Sequence, residues 1–105
     1  MIRFKYKMND GLYEFVTQNI ANYSDIYLHG ILSESLVKSL AHCSLYLVVE
    51  VKNIDNNDIM LNPMVVVAQS NTMAIDYYNE FTGIRNATCI IDIENRCDKI
   101  KVEAE

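Results

Sequence analysis

Three glycines, at positions 11, 30 and 83, are all that this chain contains. Neither a G-x-G-x-x-G turn nor a phosphate-binding loop can be written with them, so the backbone cradles of the familiar nucleotide enzymes are excluded. No G-x-S-x-G is present either, which removes the nucleophile turn of the common hydrolases. Proline occurs once, at Pro63, and no Gly-, Ser- or Pro-rich stretch reads as a linker. Residues 1–105 are expected to form a single domain. The three cysteines, Cys43, Cys89 and Cys97, are an odd number without C-x-x-C spacing. They support neither a disulfide framework nor a short-spaced zinc site, and reduced thiols in a cytoplasm are the simplest expectation.

Long apolar runs are missing as well. The longest, residues 64–68, is the size of a strand. A bilayer span needs about 20 such residues, and the alternating charges of residues 1–8 do not resemble a secretory leader. A cytoplasmic protein is therefore expected. Basic residues are scarce: nine Lys and Arg stand against 14 Asp and Glu, for a net charge of -5. That balance argues against nucleic acid and against anionic membranes as partners. It suits a basic protein partner, or simple solubility.

Half of the residues are hydrophobic, enough for a real core. Asn, Ile and Tyr are frequent while Ala and Arg are not, the signature of an AT-rich coding sequence such as low-GC bacteria, their phages and their mobile elements carry.

The hydrophobic pattern predicts the elements. Residues 2–8 alternate, with Ile2, Phe4, Tyr6 and Met8 on one face and Arg3, Lys5 and Lys7 on the other. Asn9 or Asp10 can cap a helix over 12–23 with Leu12, Phe15, Val16, Ile20 and Tyr23 as its buried stripe. Residues 26–32 read as a strand weakened by Gly30, and Ser33 as the cap of a helix over 34–43. Residues 45–53 alternate clearly, 53–62 read as a long polar connection, and 64–70 are apolar on both faces, as a central strand would be. Ser70 or Asn71 opens a helix over 72–82 that Gly83 ends. A strand over 87–94 and an edge strand over 99–103 complete the order β-α-β-α-β-β-α-β-β. The expected fold is α+β, a mostly antiparallel sheet with helices on one face, partly ferredoxin-like.

Candidate chemistry is thin. His42 and Cys43 are adjacent, but neighbours on a helix point about 100° apart, so a buried thiol beside a surface imidazole is the better reading. His29, His42 and the cysteines are scattered, and no metal or other cofactor is expected. The run Asp55, Asn56, Asn57, Asp58 has the composition of a calcium loop without its spacing or its glycine. Asp92 and Glu94 share a strand face, more simply a solvated one than an acid–base pair.

Helices on one face would leave the other face open. Tyr27, His29, Tyr46, Val48, Glu50, Ile90, Asp92 and Glu94 would then form an apolar and aromatic patch with a charged rim, the character of an interface. The expected function is that of a non-enzymatic interaction protein, binding another copy of itself or a different protein through this face or an edge strand. A small phage or mobile-element inhibitor of host defence fits the composition. The alternative is a binder of small anionic ligands, nucleotides or metabolites, in a pocket at a homodimer interface, with Arg85, Arg96 and Tyr78, or His29, as its contacts.

Overall fold

A computed structural model describes residues 1–94. The expected strand over 99–103 and Arg96 lie outside the described residues, as do the side chains of residues 89–94. The described chain is α+β. It runs β1 (Ile2–Lys7), α1 (Asp10–Asn19), β2 (Tyr27–Leu32), a 3-10 segment (Glu34–His42), β3 (Ser44–Ile54), β4 (Asn57–Ala68), α2 (Asn71–Thr82) and β5 (Ala87–Glu94).

The five strands form one mixed sheet in the order β1-β2-β4-β3-β5. β2 and β4 are parallel, and the other neighbours are antiparallel. β4, apolar on both faces, takes the central place its sequence predicts. The placement of the helices differs from expectation. α1 and the 3-10 segment cover one face, where Leu12, Val16 and Leu36 pack on Phe4, Leu28, Leu45, Leu47, Val65 and Val67. α2 covers the opposite face, where Ala74 and Tyr78 pack on Ile31, Tyr46, Val48 and Val66. The reason is in the strands. Adjacent β3 and β4 carry large apolar residues on both alternations, so each face must be shielded from water.

Local chemistry sets the helix ends. The Asn9 side chain accepts from the Leu12 backbone N–H at 2.8 Å and starts α1. α1 ends at Asn19, short of the expected residue 23, because Ile20 turns extended and bridges to Met60 of β4. The Ser70 hydroxyl accepts from the Met73 N–H at 3.2 Å to open α2, and Gly83 closes it in the left-handed region at φ 75°. Ser33 makes no capping bond, and its hydroxyl pairs with that of Ser35 at 2.9 Å. The helix that follows is tight and kinked at Ser39.

Residues 53–62 are not a loop. β3 and β4 pair out to Ile54 and Asn57, joined by Asp55 and Asn56 at φ 51° and 64°. Positive φ at both central residues gives a two-residue hairpin turn matched to strand twist, and Asp and Asn tolerate that region. The polar run that looked like a connection is the tip of a protruding hairpin. Asn53 donates to Asp58 Oδ1 at 3.0 Å, and Asn57 donates to the Asp55 carbonyl at 3.3 Å, so these groups satisfy one another.

Candidate functional site

Between the core and the hairpin tip β4 contains a bulge. Val48 pairs with Met64 and Glu50 with Leu61, leaving Asn62 and Pro63 together opposite Val49. Asn62 sits at φ 52°, which an Asn accepts more readily than most residues. Bulges bend a strand and raise its twist, and they are one of the few places where a sheet admits proline. Here the bend carries β4 away from β2. The parallel ladder holds only from Gly30–Val65 to Leu32–Val67. Before that point the two strands part.

Tyrosine hydroxyls take over where the ladder stops. Tyr23 donates to the Tyr27 carbonyl. Tyr78 donates to the Asn62 carbonyl at 2.7 Å. Asn62 in turn donates its amide to Glu50 Oε1 at 2.9 Å. Burial, then the nearby Glu50 carboxylate, push the Tyr78 hydroxyl up to about 12. Burial, then Asp25, raise Tyr23 above its ordinary value. The backbone of the hairpin arm is also tied back, since the Ala21 N–H donates to the Met60 carbonyl at 3.0 Å.

The parting of β2 and β4 opens a groove of about 630 Å³. Its walls come from five segments: Arg3 of β1, Asn22 and Tyr23 of the α1–β2 loop, His29 of β2, Leu61 to Met64 of the bulge, and Phe81 and Thr82 of α2 with Ile84 just beyond it. The Arg3 guanidinium lies 5.3 Å from the centre of the Phe81 ring, a cation–π distance.

No protein family, curated protein or solved structure matches this chain. Its function has to be argued from the surface itself.

The expected open face is divided. α2 packs on β3, β4 and β5. Tyr46 and Val48 are sealed beneath it at 9% and 0% exposure, and Glu50 is buried at 8%. They cannot serve as partner anchors, which corrects that part of the expectation. Tyr27 and His29 do stay exposed, because α2 leaves β1 and β2 largely uncovered. Backbone pairing sets Arg3 beside Ile31, Lys5 beside His29 and Lys7 beside Tyr27. Among the described residues, the strip that α2 does not cover is therefore basic and aromatic. Ile90, Asp92 and Glu94 belong to β5, and their side chains lie outside the described residues.

The alternative ligand contacts do not converge either. Tyr78 is a core residue at 0% exposure. Arg85 is exposed in the turn before β5 and does not line the groove. Arg3, Asn22 and Phe81 line it instead, and no local motif announces them because they are far apart in sequence. Two sequence signals touch the groove, the row Arg3, Lys5, Lys7 and the aromatic cluster Tyr77, Tyr78, Phe81, and they read more simply as a solvated edge and as core.

Among the described residues no three His, Cys, Asp or Glu side chains gather as metal ligands would, and no helix is long and apolar enough to cross a membrane. Cys43 is buried, its thiol donates to the Ser39 carbonyl at 3.5 Å, and burial raises its pKa. Low thiolate content and poor access both suppress reactivity. Iodoacetamide at neutral pH should leave Cys43 unmodified in the native protein and label it in urea, as read by peptide mass mapping. Rapid native labelling of Cys43 would contradict this burial.

Proposed function

We propose that this chain is a non-enzymatic binding protein that takes an extended acidic segment of a partner protein along β1. The observation that supports the reading is the basic strip on β1 that α2 does not cover among the described residues. Three of the nine Lys and Arg stand on β1, and neither β1 nor β2 contains an Asp or Glu. β1 is also the outer strand of the sheet among the described residues. An added strand would gain main-chain hydrogen bonds there, with alternate side chains over Arg3, Lys5 and Lys7.

Charge selects the occupant. A second copy pairing antiparallel about Lys5 would set Lys5 against Lys5 and Arg3 against Lys7, and like charges directly opposite are destabilising. Nucleic acid would meet a chain of net charge -5. A strand with Asp or Glu at every second position meets neither objection. Occlusion of a partner's strand is how a small inhibitor can act, and an AT-rich phage or mobile-element origin is a setting supported by composition alone.

A peptide of alternating Glu and Thr serves as the probe, with NMR shifts as the readout. Perturbations should concentrate on β1 and β2 and weaken with salt. The double variant Lys5→Glu, Lys7→Glu should lower affinity about tenfold, given roughly 0.2–1 kcal/mol for each exposed charge pair and a comparable repulsive term. A Lys–Thr peptide should bind that variant in its place. Equal binding of both peptides to both proteins, or shifts confined to α1, would overturn the reading.

A further inference from the structure

We propose that the groove between β2 and β4 is a binding site for a small ring-bearing phosphate ester of the nucleoside monophosphate class. This goes beyond partner binding at the β1 edge and overlaps that strip only at Arg3 and His29.

Size comes first. A groove of about 630 Å³ is in the range of small-molecule sites. It also has a physical origin, since the parallel ladder of β2 and β4 stops at the bulge of Asn62 and Pro63, where the Tyr23 and Tyr78 hydroxyls donate to the Tyr27 and Asn62 carbonyls.

The lining sorts by chemistry. Arg3 and His29 supply hydrogen-bond donors on the β1–β2 side, in a protein that is otherwise acidic. Phe81 holds the guanidinium of Arg3 by its face, which limits the side chain's freedom before any ligand arrives. Preorganisation of that kind lowers the entropic cost of binding an anion, and a planar guanidinium donates to phosphate through paired N–H groups. Phe81 is itself 37% exposed. With Tyr23, Met64 and Ile84 it offers flat and apolar surface for a ring. Asn22 adds an amide suited to the polar edge of a base, while the amide of Asn62 is held by Glu50. An inorganic anion would use only the first of these groups, and an uncharged ring only the second.

The test is NMR titration of the whole chain with AMP, CMP, GMP and UMP in turn, beside inorganic phosphate and free nucleosides. The expected result is saturable shifts at Arg3, Asn22, Tyr23, His29 and Phe81 with at least one nucleotide. Phosphate or nucleoside alone should bind at least tenfold more weakly. His29→Ala and Phe81→Leu should each weaken the nucleotide about tenfold while keeping the far-UV spectrum and unfolding midpoint. Lys7→Glu, outside the groove, should leave nucleotide affinity within twofold while it weakens the acidic peptide, so the two sites fail separately. Absence of saturable shifts with all four nucleotides, or saturable shifts that His29→Ala and Phe81→Leu do not alter, would overturn the proposal.

Discussion

Gly30→Val is expected to cost about 3–5 kcal/mol, the range seen when a buried aromatic side chain is lost. Phe4 and Gly30 are direct cross-strand partners. A Cβ placed on Gly30 would lie 2.3, 2.5 and 2.6 Å from three atoms of the Phe4 ring, distances that real side chains do not tolerate. The ring has nowhere to go. Phe4 is fully buried, in a cluster with Met8, Leu12, Val16 and Leu28, and interiors packed to crystal density yield little. Either the ring is expelled or β1 shifts on β2. A domain of this size has roughly 5–15 kcal/mol in all, so the variant should sit close to unfolding, with Tm lowered by about 4–8 °C for each kcal/mol.

The alanine variant makes the sign decisive. At a position with ordinary backbone angles, Gly→Ala usually stabilises by about 0.4–1 kcal/mol through the unfolded chain. Here Gly30→Ala should destabilise, and the penalty should shrink when Phe4 is shortened to Leu. Urea unfolding of the four proteins in that cycle measures the coupling. A neutral or stabilising Gly30→Ala would show that the ring does not rest on the glycine.

The same glycine shows what the sequence conveyed. Gly30 weakened the expectation of a strand over 26–32, yet the strand forms because Phe4 covers the gap its missing side chain leaves. Alternation located β1, β3 and β5, and the caps Ser70 and Gly83 bounded α2 within a residue. Residues 53–62 do not announce a hairpin because Asp55-Asn56 is a weaker turn signal than Asn-Gly, and because the exposed tip, residues 52–58, carries a single apolar side chain, Ile54, and so no apolar alternation. The side taken by α2 was also missed. Its apolar stripe does not say which face it covers, but β3 did: Leu45, Leu47 and Val49 alternate with Tyr46 and Val48, so neither face of that strand could be left to water. Tyr27 and His29 are exposed on either side of buried Leu28, as alternation over residues 27–29 implies, whereas Gly30, Ile31 and Leu32 are buried in succession. The groove was not legible, since Arg3, Asn22, Asn62 and Phe81 meet only through the bulge.

Tyr78 is expected to give the second large effect, with a distinctive dependence on pH. Tyr78→Ala should cost about 3–5 kcal/mol, because the side chain is fully buried against the α2 face of the sheet. Tyr78→Phe keeps the ring and removes one hydrogen bond, leaving the Asn62 carbonyl without its 2.7 Å donor, at a cost of about 1–3 kcal/mol. The folded hydroxyl titrates near 12 against 10.0 for an unperturbed tyrosine. Between those values the native state keeps a proton that the unfolded state releases, so stability falls as pH rises. The contribution is whole below pH 10 and is lost progressively toward 12, by about 3 kcal/mol at most. Tyr78→Phe has no such proton to lose. Urea unfolding of both proteins from pH 8 to pH 11 isolates the effect, because every other titrating group is common to the two. The wild-type advantage should shrink steadily above pH 10. Parallel curves across that interval would mean that water reaches the hydroxyl, and that Asn62 and the bulge are held by something other than Tyr78.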